Sequence, residues 1–166
     1  FYLEFKLITR DPSGGKEKVR ELLNKLEEAV KQYPSSIAIH EMYAQVLTEI
    51  MYFEEADQAL QDISKLDPQN GNVYVSRALL QFHMKNDPDE VARLLQEALR
   101  IDSKILFAYE LLGSIETQRG KTDEAIKIFE TALKHAQTEP EFARCYGLLD
   151  SAISQRIAAE SLGMQA

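Results

Sequence analysis

The chain has 166 residues with three histidines, one cysteine and 27 acidic side chains, and their spacing limits what chemistry they can do. His40, His83 and His135 lie far apart on different segments. No His-Glu-x-x-His run or pair of cysteines offers the spacing that holds zinc. Gly14-Gly15-Lys16 lacks the earlier glycine of a phosphate loop, and Glu17 stands where a hydroxyl is needed. Asp87-x-Asp89 lacks the glycine of a calcium loop. Cys145 falls in an apolar-spaced run and reads as a small buried residue rather than a nucleophile. These features predict no enzyme, no metal and no cofactor. Lys plus Arg number 19 against 27 acids, a net charge of −8. Phosphate binding needs clustered cations, so nucleic acid is excluded as a partner. A single cysteine forms no intrachain disulfide, which fits a reducing compartment. No apolar stretch approaches the ~20 residues that span a bilayer, so no membrane contact is expected of this chain. It begins at Phe1 with no signal-peptide pattern and reads as a piece of a longer protein.

The remaining chemistry is recognition, and it needs elements to display it. Apolar residues recur at steps of three and four, separated by short polar connections. The breaks include Asp11–Gly15, Tyr33-Pro34-Ser35, Asp67–Gly71, Asn86-Asp87-Pro88, Gly120-Lys121-Thr122 and Thr138-Glu139-Pro140. Asp87-Pro88-Asp89-Glu90 combines an N-cap carboxylate, a proline at the first helical position and acids in the first turn. Thr138-x-x-Glu141 has the capping-box spacing. Nine helices are predicted, over about 1–10, 16–33, 36–50, 53–66, 71–86, 88–101, 104–119, 122–136 and 139–162. The chain is all-α.

The helices repeat. Ala29, Ile63, Ala98 and Ala132 are 34, 35 and 34 residues apart, and Leu26, Leu60, Leu95 and Phe129 keep the same steps. Ala56, Val91 and Ala125 share them, and Pro34 precedes Pro68 by 34. A two-helix unit near 34 residues is the tetratricopeptide period. The sharpest copy is Tyr109-x-x-Leu112-Gly113, then Ala125-x-x-x-Phe129 and Ala132. The expected fold is a tetratricopeptide-repeat right-handed superhelix, an α-solenoid. A partial repeat would cover 1–35, full repeats about 36–70, 71–104 and 105–138, and a C-terminal capping helix 139–166. That last helix carries the stripe Phe142, Tyr146, Leu149, Ile153 and Ile157. At the other end Phe1–Ile8 is densely apolar, an exposed face that could pair two copies as a homodimer.

In such stacks one helix of each pair lines a concave surface that holds peptides. Offsetting from the packing positions Tyr109, Leu112, Gly113 and Glu116 places Phe107, Glu110, Leu111, Ser114 and Gln118 on it. The first repeat contributes Ala38, Glu41, Met42, Gln45 and Glu49. The second contributes Asn72, Val75, Ser76, Leu79, Phe82 and His83. Glu41 and Glu49 lie about two turns apart on one face. The chosen groove set is Glu41, Met42, Gln45, Glu49, Ser76, Leu79, Phe82, Phe107, Glu110, Leu111 and Ser114. It suits peptides that offer apolar side chains and positive charge.

Tyr43–Thr48, Tyr74–Gln81, Phe107–Gly120 and the trailing Phe142–Asp150 together resemble one family. They are similar to the last repeats of the seventy-kilodalton class of import receptor on the mitochondrial outer membrane. The likeness runs from about Lys16 to Leu162 and is most specific over Phe107–Gly120. It implies a protein that recognises targeting signals of mitochondrial precursor proteins at the cytosolic face of the outer membrane. Other import-complex subunits would be partners, and the anchor would lie outside this chain. Some tetratricopeptide domains clamp chaperone carboxylates with Lys, Arg and Asn. Here the matching positions carry Glu41, Gln45, Ser76, Phe107 and Leu111, which cannot pair carboxylates. The alternative is a tetratricopeptide scaffold or co-chaperone adaptor that assembles another complex.

Overall fold

The structure, a computed structural model, describes residues 15–84 and 87–163. Among them are eight helices and no strand: α1 Gly15–Gln32, α2 Ile37–Glu49, α3 Phe53–Leu66, α4 Gly71–His83, α5 Pro88–Ile101, α6 Leu106–Gln118, α7 Thr122–His135 and α8 Glu139–Ser161. The all-α tetratricopeptide fold is therefore present. The predicted helix over 1–10, and with it the apolar face Phe1–Ile8, lies outside the described residues.

The ends of these helices follow local chemistry. The Asp87 carboxylate accepts from Asp89 N–H at 2.9 Å, with Pro88 opening α5. At α8 the capping box is complete: Glu141 Oε2 accepts from Thr138 N–H at 3.0 Å and from Gln137 N–H at 2.9 Å, while Thr138 Oγ1 accepts from Glu141 N–H at 3.4 Å. These backbone donors hold the Glu141 carboxyl below its ordinary range. After α6, Gly120 N–H bonds Thr117 O at 3.0 Å and Lys121 N–H bonds Glu116 O at 2.9 Å. This Schellman turn needs a left-handed residue, and Gly120 supplies it at φ 75°.

Two compact units divide the chain after Gln69. In the first, Leu22 and Leu26 of α1 pack on Val46 of α2, joined by Met42, Tyr43 and Ile50. Ala56, Ala59, Leu60 and Ile63 bury the inner face of α3. In the second unit, Val75 and Ala78 of α4, Leu94, Leu95 and Ala98 of α5, and Ala108, Leu112 and Ile115 of α6 form one core. Full burial of one such leucine is worth about 2 kcal/mol. Phe129 of α7 packs against Gly113 of α6, so a Cβ on Gly113 would collide with the ring. Beyond them Leu106, Tyr109, Ala132 and Cys145 cluster, as do Ala125, Ile126, Phe129 and Ala152.

Helix α8 buries only part of the face its large apolar residues suggest: Leu149 and Ile153 pack inward, whereas Phe142, Tyr146 and Ile157 do not. Cys145 and Ala152 are its buried residues, with Leu148, Leu149 and Ile153 packed beside Ala152. Phe142 and Tyr146 stand 54% and 56% exposed, and Ile157 is exposed too. Cys145 precedes Tyr146 by one position, a rotation of about 100°. Small residues win the seam because they let α8 approach α6 and α7 closely.

Candidate peptide groove

Helices α4, α5 and α6 enclose a cleft in the second unit. A space of about 590 Å³ is lined by Phe82, His83, Pro88, Val91, Ile115, Gln118 and Arg119. A smaller one of about 180 Å³ adjoins it through Phe82, Val91, Ile115 and Gln118, and adds Ala78, Leu79, Leu111 and Ser114. The walls are mainly aliphatic and aromatic. Phe82, at the end of α4, stays 52% exposed and forms an apolar edge. Polar capacity is sparse. Ser114 Oγ donates to Glu110 O at 2.7 Å, so its proton is already used. Gln118 is exposed, and its amide can turn to either donor or acceptor duty.

Arg119 puts a cation in the wall but does not leave it unbalanced. Its guanidinium bonds Asp89 Oδ1 at 2.7 Å and Glu116 Oε1 at 2.9 Å, and Lys121 Nζ lies 3.6 Å from Glu116 Oε2. The bond to Asp89 ties the end of α6 to the start of α5. A ligand therefore meets a neutralised arginine, and Asp89 remains exposed at the rim.

The structure brings Leu79, Phe82, Leu111 and Ser114 of the expected groove set together at this cleft. Phe107 is exposed and Glu110 half-buried on the same α6 face but outside the lining, and Ser76 of α4 is half-buried outside it too. Glu110 is engaged by α8: Arg144 Nε lies 2.6 Å from its Oε1. In the first unit Glu41, Gln45 and Glu49 are exposed on α2, whereas Met42 packs on the Leu22–Leu26–Val46 core. Val75, expected on the concave face, is a core residue instead. Pro88, Val91, Ile115 and Arg119 are lining residues that the repeat offsets do not pick out. Pro88 was marked in the sequence as a helix start and Val91 as a repeat position, but neither signal points to a lining role.

The candidate chemical residues have structural partners. His40 is buried and its Nε2 lies 3.0 Å from Pro34 O, a bond in which the ring N–H donates. His135 stacks on Tyr109 with centroids 5.8 Å apart. Burial, and then the Glu110 charge, push the Cys145 thiol up, which keeps it protonated and unreactive. Among the described residues no three His, Cys, Asp or Glu side chains are grouped to hold a metal. No described helix is long and apolar enough to cross a membrane.

Comparison with known proteins supplies the relationship. Residues 108–137 match the family model for a tetratricopeptide repeat. The chain is 38% identical over 139 residues to human "Mitochondrial import receptor subunit TOM70", covering 84% of this chain and 23% of that protein. It is 35% identical over 153 residues to the same receptor subunit of Rattus norvegicus, covering 92% of this chain and 25% of the relative. The chain thus spans about a quarter of the length of these curated relatives. The crystal structure of the yeast Tom70 superposes with a TM-score of 0.69 at 22% identity, over 81% of this chain and 29% of that one. That superposition speaks for the fold. This relationship is to a non-enzymatic family. Shared sequence over nearly the whole chain, rather than shared fold alone, makes it a tetratricopeptide-repeat homologue of mitochondrial import receptor subunit TOM70.

Proposed function

We propose that this chain is a peptide-holding part of a mitochondrial import receptor, which receives targeting segments of precursor proteins in the α4–α5–α6 cleft. The observation that carries this reading is the cleft itself, an apolar space of about 590 Å³ edged by the half-exposed Phe82. The cleft is large enough for one or two bulky side chains, and its polar groups are few and adaptable. The chain's net charge of −8 favours a ligand that is cationic beside its apolar face. An amphipathic basic helix has both features. The homology supports a setting at the mitochondrial outer membrane, and this reading puts the chain on its cytosolic face with other import subunits as partners.

Titration with a basic amphipathic precursor peptide by calorimetry tests the reading. Wild type should bind, and Phe82→Ala should lose most of the affinity, because the exposed ring can be removed without opening the core. Leu111→Ala should weaken binding as well, though Leu111 also packs on the core of the unit. Raising salt from 0.1 M to 1 M shortens the Debye length from ~10 Å to ~3 Å, so the charged share should fall while the apolar share persists. Equal binding by wild type and Phe82→Ala at both salts would move the site elsewhere. The stacked, exposed pair Phe142 and Tyr146, with centroids 6.3 Å apart, favours the scaffold alternative as a protein-docking edge. Loss of binding in Tyr146→Ser but not in Phe82→Ala would support that alternative.

A further inference from the structure

Helix α6 offers two things to a ligand lying across it. Leu111, Ser114 and Gln118 turn toward the cleft. Glu110, on the same face one position before Leu111, turns toward α8. Its Oε1 is fully buried and its side chain only 13% exposed. Arg144 Nε lies 2.6 Å away, yet the pair lacks the alignment of a hydrogen bond. A buried carboxylate oxygen with a nearby cation but no aligned donor is under-satisfied, and such an oxygen gains most from a better-placed donor. The cation now facing it stands at the surface. The Arg144 side chain is 56% exposed, and Glu141 sits one turn earlier on α8. Arg144's charge already reaches Glu141 and contributes to holding that carboxyl low. Arg144 therefore has a second carboxylate to swing to.

We propose that the Glu110 carboxylate is a subsite for a cationic side chain of the bound peptide, and that Arg144 occupies it until the ligand's own guanidinium or ammonium takes its place. Arg144 is the chain's own sample of the ligand chemistry. The subsite lies on the α6 face that also meets the cleft, so one helical ligand can seat an apolar residue against Phe82 and Leu111 and a basic residue on Glu110. Exposed Phe107, one turn before Glu110, adds an aromatic face against which an arginine stem can lie. This subsite deepens the import-receptor reading and rests on it for the ligand, but the carboxylate's appetite for a cation can be tested apart from any peptide.

Arg144→Ala empties the position by truncating a half-exposed side chain. Methylguanidinium at millimolar concentration should then raise the melting temperature of Arg144→Ala saturably, with a smaller response in wild type. The Glu110→Gln/Arg144→Ala double variant should show no response, and methylurea should fail throughout. A response that is the same in all three proteins overturns the subsite. A peptide pair sharpens the test: an arginine-bearing amphipathic peptide and its citrulline twin, alike in shape and different in charge. Wild type should prefer the arginine form. Arg144→Ala should bind that form several-fold tighter than wild type does and leave citrulline binding unchanged. Glu110→Gln should abolish the preference. Both peptides binding wild type and Arg144→Ala equally would overturn the subsite and leave the cleft reading intact. Guanidinium rescue with neither peptide bound would keep a cation site but overturn its role in holding precursors.

Discussion

The first and last full repeats solve the same packing problem with opposite choices. At the helix crossing of the first unit, Ala44 of α2 stands at the position of Gly113 in α6, and Leu60 of α3 at that of Phe129 in α7. The middle repeat uses Ala78 and Leu95, both fully buried. A methyl group opposite an isobutyl group fills the crossing in two repeats. In the last, a full ring fills it and leaves no room for a methyl. Volume is conserved while its distribution is not, which is what close packing demands of a repeated architecture. The units differ in the same way at their turns. The α6–α7 Schellman turn uses Gly120 at φ 75°, whereas the α2–α3 turn puts Met51 at φ 65°. The hydrogen bonds are equivalent: Met51 N–H to Thr48 O at 3.0 Å and Tyr52 N–H to Leu47 O at 2.8 Å. One geometry is thus built with the favoured residue in one unit and at a steric cost in the other.

The largest effect should come from the crossing. Gly113→Ala forces a Cβ into the Phe129 ring, an overpacking worth about 1–3 kcal/mol in a urea melt. Gly113→Leu should cost more. Phe129→Leu alone leaves a void, yet Gly113→Ala with Phe129→Leu recreates the pair used by the other two repeats. The double variant should therefore be more stable than the sum of the single effects allows. Strict additivity would break the comparison.

A smaller, paired effect is expected at the turns. Met51→Gly should raise the unfolding free energy by about 1 kcal/mol, because a left-handed backbone costs a side-chain-bearing residue roughly that much. Gly120→Met should lower it by about as much, since the space around Gly120 is open and only the backbone conformation is strained. Opposite signs in matched melts sharpen the comparison. A null result for both would mean that the two turns tolerate left-handed side chains equally.

The caps give the smallest difference. Thr138 accepts a bond from Glu141 N–H, while Ser36 at the start of α2 makes no side-chain cap bond despite its favourable chemistry. Thr138→Ala should cost about 1 kcal/mol and Ser36→Ala only a few tenths. The Glu141 carboxyl is held below its ordinary range, so its contribution is complete above that range and is lost as pH falls through the lowered value. The protection factors of amides in the first turn of α8, taken relative to intrinsic exchange at each pH, should therefore fall in acid. Glu141→Gln should remove that pH dependence, and an unchanged acid response in this variant would contradict the assignment.

Local chemistry was legible wherever neighbours in sequence decide the outcome. Asp87-Pro88 and Thr138-x-x-Glu141 named their helix starts because capping bonds span only a few residues. The steps of 34 and 35 named the repeat because every copy must bury the same face against its neighbour. Leu79, Phe82, Leu111 and Ser114 could be picked out because one helix face keeps its register from repeat to repeat.

What only the tertiary structure decided is which of two plausible faces a helix buries, and which partner a charge finds. The stripe from Phe142 to Ile157 had the right spacing, but Cys145 and Ala152 permit closer approach to α6 and α7, so the aromatics turned outward. Val75 fitted the groove offsets and went to the core, and Met42 packs partly buried against the core of the first unit, because long-range packing outweighs a one-position ambiguity in helical phase. Glu110 read as an open groove acid; Arg144, thirty-four residues later, meets it only because α8 folds back on α6. Periodicity fixes the elements and their repeat, because both rest on contacts within a few turns of the chain. The cleft and its charges depend on residues brought together from α4, α5, α6 and α8, and the repeat period by itself does not say which of their side chains meet.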